Sequence, residues 1–116
     1  FGFKHGLPDE ADLVFDVRFL KNPYYVPQLK ALTGLDEAVY EYVFSDPNAA
    51  VYVEKLRDLL AFSLPLYQAE GKTSLVIAIG CTGGRHRSVS VSRRLHRELE
   101  ALGHNVTLRH RDAEKG

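Results

Sequence analysis

The residues of this chain best suited to chemistry sit in one run, "IGCTGGRHRS" at 79–88. An apolar approach delivers Cys81, the chain's single cysteine, then Thr82, Gly83 and Gly84, then Arg85, His86, Arg87 and Ser88. Hydroxyls at Thr82 and Ser88 can donate to an oxyanion. Paired glycines let the backbone turn tightly and approach a ligand closely. A guanidinium grips two oxygens of a phosphate at once, which a point charge does not. Together these types suit a phosphate or a carboxylate. The plainer alternative, a Gly-rich turn with solvated arginines, leaves the hydroxyls and glycines without a reason.

Two familiar nucleotide patterns are absent. Neither G-x-x-x-x-G-K-[ST] nor G-x-G-x-x-G occurs in the chain, so the run gives no licence for ATP hydrolysis or dinucleotide binding. A third pattern does fit. Cys81, five residues, Arg87 and Ser88 reproduce the C-x5-R-S loop of cysteine-dependent phosphatases, with Gly84 at a position they often make Gly. A helix N-terminus and nearby arginines would lower the thiol pKa, and the thiolate would attack phosphorus. Against this, Gly80 stands where those enzymes usually have His, and a general acid has only Asp16 and Asp36 as candidates. The competing role for Cys81 is a small buried residue closing a strand.

The elements around the run decide where it would sit. "SLVIAIG" (74–80) is almost wholly apolar, the pattern of a central strand covered on both faces. "HRSVSVSRRLHRELEALG" (86–103) reads as a helix, with Val91, Leu95, Leu99 and Leu102 inward, Arg93, Arg94 and Arg97 on a solvated face, and Gly103 as its stop. The run therefore lies at the carboxyl end of a strand and the N-terminus of a helix, where backbone N–H groups favour anions. "DLVFDVRF" (12–19) predicts another buried strand and "FGFK" the stub of one. Prolines and polar residues make 20–34 a loop. Residues 35–45 read as a helix with Thr33 and Asp36 as a capping box, and 45–72 as a second, started by Ser45 or Asp46 with Pro47 and kinked or ended by Pro65. "NVTLRHR" (105–111) predicts a last strand. Strands alternating with helices predict an α/β fold, a layered and largely parallel sheet with helices packed on it, in a single domain over 1–116.

Composition excludes other classes. At 45% hydrophobic and 26% charged, the chain is ordinary for a globular domain. No apolar run approaches a membrane span, and no signal peptide opens it. One cysteine makes no internal disulfide, so a cytoplasmic, reducing home is expected. The chain begins at Phe1 and holds no Met, so an excised domain or processed fragment is expected. Residues 1–70 carry six Lys/Arg against eleven Asp/Glu, and 71–116 nine against four. That asymmetry predicts an acidic and a basic face, while zero net charge argues against a dedicated nucleic-acid binder. His5, His96 and His104 show no zinc spacing.

"DLVFDVRFLKNPYY", "LTGLDEAV", "VIAIGCTGGRHRSV" and "NVTLRHRDAEK", in this order over nearly the whole chain, resemble the C-terminal domain of the RapZ/YvcJ family of bacterial nucleotide-binding proteins and RNase adapters. The resemblance implies a fold similar to a phosphofructokinase subdomain, with no catalysis and no cofactor in this domain; ATP or GTP would belong to an N-terminal P-loop domain that is absent here. It implies a sensor for glucosamine 6-phosphate or another small anion, which also presents small RNAs to a ribonuclease, does not bind membranes and forms homo-oligomers. Carried onto this sequence, the phosphate cradle is Thr82, Gly83, Gly84, His86, Arg87 and Ser88, with Asp16, Arg18 and Tyr24 at the sugar side. The enterobacterial branch tends to have His at the position of Tyr24, and Tyr brings no positive charge. The RNA-contacting set is Arg85, Arg109, His110, Arg111 and Lys115. That branch has a Lys-rich tail, whereas this one reads "RHRDAEKG", and an exposed edge strand explains Arg109 and Arg111 equally well. Three readings stand open: sensor and adapter, cysteine phosphatase, and a domain for self-association.

Overall fold

The structure, a computed structural model, describes residues 1–115. Two strands, β1 (Leu13–Asp16) and β2 (Ile77–Gly80), pair in parallel, in register from Leu13 opposite Ile77 to Asp16 opposite Gly80. The crossover between them is helical: α1 (Glu37–Phe44) and α2 (Pro47–Ala69), with α3 (Arg87–Ala101) following β2. The expected architecture is therefore observed, helices packed on a parallel sheet. On the far edge of β2, Gly2 bridges Cys81, again in parallel.

Local chemistry sets the helix starts. Asp46 caps α2 by accepting from the Asn48 N–H at 2.9 Å, with Pro47 in the first turn. At α1, Asp36 is the N-cap residue and its carboxylate reaches back to accept the Thr33 N–H at 2.9 Å; Thr33 takes the Leu35 N–H instead of a helical one. Only the acid's half of the expected capping box forms. The core joins Val39 and Val43 of α1, Val53 and Leu60 of α2, Ile79 of β2, and Val91, Leu95 and Leu99 of α3. Each fully buried Val or Leu contributes about 1.5–3 kcal/mol relative to exposure.

Several boundaries differ from the sequence reading. Pro65 does not end α2, which runs on to Ala69. The proline lies on the exposed face, where water can serve the carbonyl its missing N–H leaves free. Leu102 is 53% exposed rather than inward, because it is the C-cap of α3. Arg97 is exposed as expected, but Arg93 and Arg94 are half-buried rather than solvated. They pack on α1: Arg93 over the Tyr40 ring at 4.5 Å and paired with Glu37 at 2.8 Å, Arg94 over Phe44 at 4.3 Å, and Arg97 donating to the Tyr40 hydroxyl at 3.3 Å. The Phe1–Lys4 stub forms the one bridge to Cys81 and then turns into a short 3₁₀ helix, Phe3–His5. Residues 105–111 form no strand. Their burial alternates as a strand's would, but no backbone lies beside them to pair with among the described residues.

Candidate functional site

The 81–87 loop is shaped from below. The N–H groups of Phe3 and Lys4 donate to the Cys81 and Thr82 carbonyls at 2.9 and 3.1 Å, and the Cys81 N–H donates to the Phe1 carbonyl at 3.1 Å. Gly84 has φ +77, and a Cβ there would sit 2.4 Å from the Gly2 nitrogen; a Cβ on Gly2 would lie 2.4 Å from the Gly83 carbonyl carbon. Only glycine lets the two segments cross at this distance. Asp112 locks the crossing. Fully buried, it accepts the Gly2 N–H at 2.7 Å and ion-pairs with Arg111 at 2.8 Å and Lys115 at 2.9 Å. Burial alone would raise its pKa. Arg111, the Gly2 amide and Lys115 outweigh that and hold the carboxyl far below the ordinary range.

Above this floor opens a pocket of about 610 Å³, lined by Cys81, Thr82, Gly83, Arg85, His86 and Arg87 on one side and by Asn22, Tyr24, Tyr25, Pro27, Lys30 and Ala31 on the other, with Lys4 at its edge. Four of these side chains are cationic, and none is a carboxylate. Arg87 is 95% buried: its relative exposure is 5%. One terminal nitrogen donates to the Arg18 carbonyl and, at 3.4 Å, to that of Leu20; the other reaches Thr82 Oγ1 at 3.4 Å. Its Nε is buried with no hydrogen-bond partner among the described residues. An unpaired donor in a dry site is costly. Here it belongs to a guanidinium at the N-terminus of α3, where the helix dipole already favours an anion.

The sequence-chosen residues separate into lining and supporting roles. Thr82, Gly83, Arg85, His86, Arg87 and Tyr24 line the pocket. His86 is buried, and its Nε2 lies 3.2 Å from the Lys30 carbonyl. Burial lowers its pKa, partly countered by the carbonyls of Leu32 and Lys30, so it enters as a neutral ring tying the 30–33 turn to the loop. Gly84 and Ser88 lie beneath the lining, Gly84 on Gly2 and Ser88 with its Oγ 3.2 Å from Cys81 Sγ. Asp16 and Arg18 pair with each other at 2.7 Å on the exposed end of β1, and Arg18 stacks over Phe3 at 3.9 Å; only Arg18's carbonyl serves the site, by holding Arg87.

The RNA-contacting set is scattered. Arg85 donates to the carbonyls of Ala31, Ala113 and Lys115. Arg111 and Lys115 spend their charge on Asp112. His110 is half-buried with its pKa lowered by burial. Arg109 is exposed and makes no ion pair among the described residues. Sequence reasoning missed Lys4, Asn22, Tyr25 and Lys30, which carry no motif and reach the pocket only through the fold.

Cys81 lines the pocket but is 2% exposed. Burial pushes its thiol pKa up; the Ser88 hydroxyl and amide, the Gly84 amide and the Arg87 charge outweigh this and place it below the ordinary value. A phosphatase would also need a general acid. Of the two candidates, Asp16 is paired to Arg18 and Asp36 to the Thr33 amide, and neither lines the pocket.

The family model described as the RapZ C-terminal domain matches residues 1–114. A nucleotide-binding protein of Staphylococcus carnosus is 58% identical over 114 residues, which cover 97% of this chain and 37% of that protein. Proteins of the same name from Carboxydothermus hydrogenoformans and Lachnoclostridium phytofermentans are each 56% identical, over 99% and 100% of this chain and 40% and 41% of their own length. The chain thus spans about two fifths of the length of these relatives.

Proposed function

From the premise that this chain belongs to the RapZ C-terminal domain family, we propose that it is a non-catalytic binding domain for a small phosphorylated metabolite of the sugar-phosphate class. One observation carries the reading: the pocket at the start of α3 collects Lys4, Lys30, Arg85 and Arg87 without a single carboxylate, and the buried Arg87 keeps a guanidinium nitrogen without a partner among the described residues. A phosphate placed there would face the Thr82 hydroxyl and the loop around Gly83, with the Arg87 charge beside it. The sugar then faces Asn22 and the Tyr24 ring, a half-polar wall that can take both hydroxyls and C–H edges. Nucleotide binding, stated in the names of the relatives, we assign to the part of the protein outside this chain.

An RNA-adapter role is the second part of the proposal, and it rests on less. Arg109 is the member of the C-terminal set that stands exposed and outside ion pairs among the described residues. Backbone contact through it would appear as a salt-dependent affinity whose slope falls by about one in Arg109→Ala. No matching observation favours self-association.

Calorimetric titration with glucosamine 6-phosphate, run beside inorganic phosphate, tests the main reading. The sugar phosphate is expected to bind at least about tenfold more tightly, because only it uses the tyrosine wall. Equal weak binding of both would reduce the site to a generic anion cradle.

A further inference from the structure

Parallel pairing makes alternate residues of a strand face opposite neighbours. The N–H groups of Leu13 and Val17 donate to the Val76 and Gly80 carbonyls, so the even-numbered residues of β2 face β1. The odd ones face the other way. There the Phe1 nitrogen donates to the Ile79 carbonyl at 2.8 Å, Cys81 donates to Phe1, and Phe3 donates to Cys81 at 2.9 Å. This is a parallel ladder that starts at Phe1. The amides of Ile77 and Ile79 and the carbonyl of Ile77 point to the same side and meet no backbone partner among the described residues.

Beside them lies a groove of about 810 Å³. Its one wall is the free edge of β2; its other is the stretch from Asn105 to Arg111, which alternates in burial and makes no backbone–backbone hydrogen bond among the described residues. Leu95, Leu99 and Val106 make its surface apolar. Unpaired amides on this edge of β2, facing a segment that also lacks backbone pairing, leave room for a strand between them. The family model is that of a C-terminal domain, and the relatives are more than twice as long as this chain. Phe1 lines the groove, its nitrogen hydrogen-bonded to the Ile79 carbonyl.

We propose that about five residues immediately before Phe1 in the full-length protein lie in this groove as a parallel strand between β2 and residues 105–111. The ladder fixes the register. The second residue before Phe1 accepts the Ile79 N–H and donates to the Ile77 carbonyl. The fourth accepts the Ile77 N–H. The strand is apolar on the face toward Leu95 and Leu99. Because it continues into Phe1–Phe3, which hold the Cys81 and Thr82 carbonyls, the upstream half of the protein joins the anion loop through a sheet strand rather than a flexible tether. This proposal does not depend on which ligand the pocket takes.

Residue-resolved hydrogen exchange on the full-length protein tests it. The Ile77 and Ile79 amides should exchange about 100-fold or more slowly than unprotected amides, equally at low and high protein concentration. Placing proline at the second residue before Phe1 removes the donor to Ile77 and should speed Ile79 exchange about tenfold. Unprotected amides in the full-length protein would overturn the proposal. So would protection that rises with concentration, since a second copy would then fill the groove, or a folded proline variant with unchanged rates. If that variant does not fold, the wild-type rates and their concentration series decide.

Discussion

Replacing Arg87 with alanine separates a ligand-binding guanidinium from a merely structural one. In the folded chain Arg87 serves the carbonyls of Arg18 and Leu20, the latter at 3.4 Å. A hydrogen bond from a charged donor is worth about 1.5–3 kcal/mol, and the long one little. Loss of the unpaired Nε works in the other direction. The net cost to stability is about 2 kcal/mol, which lowers Tm by on the order of 10 °C. The cost to binding is larger, because a phosphate loses both its fork and the buried charge opposite it. A loss of about 3 kcal/mol raises Kd about 100-fold or more. Arg87→Lys keeps the charge without the fork and should fall between, at about tenfold. Thermal melts establish that the variants are folded at the titration temperature, and calorimetry with glucosamine 6-phosphate gives Kd. Arg97→Ala, a change on the α3 face that meets Tyr40, serves as the control. A folded Arg87→Ala protein binding within about threefold of the parent would refute the assignment of this pocket.

Four further outcomes are expected. Gly84→Ala should cost at least about 2 kcal/mol, seen as a lower denaturant midpoint at unchanged slope, since φ is +77 and the new Cβ meets the Gly2 nitrogen at 2.4 Å. Tyr24→Ala should weaken glucosamine 6-phosphate about tenfold and leave inorganic phosphate unchanged in parallel titrations. Cys81→Ala should bind within about threefold of the parent, and the parent should not turn over an aryl phosphate; turnover abolished by Cys81→Ser would reinstate the phosphatase reading. Asp112 has its pKa depressed in the folded state, so the stability it lends is fully present above the unfolded value of about 3.9 and drains away as pH falls toward the depressed one. Denaturant midpoints followed downward from pH 6 should therefore drop below about pH 4, and Asp112→Asn should be less stable at pH 6 with a flatter acid limb.

The 81–86 loop and its place between β2 and α3 were legible because each rests on local pattern: an apolar run, glycines, then a helical repeat. What lay beyond reading is what depends on distant backbone. Lys30 and Tyr25 reach the pocket only because the His86 ring and Arg85 tie the 30–31 carbonyls to the loop. Asp112 looks like a tail residue in sequence and is a buried lock in the fold. Arg111 and Lys115 read as free cations for RNA for the same reason: their partner sits within three residues, but its burial comes from Gly2, 110 positions away. The strand expected at 105–111 shows the converse failure. Its alternation is real, but no backbone pairs with it among the described residues.

These distant contacts converge on one place. Gly2 crosses beneath Gly83 and Gly84, Asp112 clamps Gly2, and Arg85 of the loop donates to the Ala113 and Lys115 carbonyls. Both ends of the chain therefore meet under the anion loop and form its floor. A ligand that binds only the ordered loop must also favour the docked state of both ends, by about 2.7 kcal/mol at a hundredfold excess over Kd. Linkage is reciprocal, so anything that pulls Phe1–Phe3 or the 111–115 turn away weakens the ligand by the same factor. A binding pocket on a rigid sheet of its own would not report to the rest of a longer protein. One whose floor is built from Gly2 and Asp112 does couple to its surroundings: a ligand in the pocket and the docking of Phe1–Phe3 and the 111–115 turn favour each other.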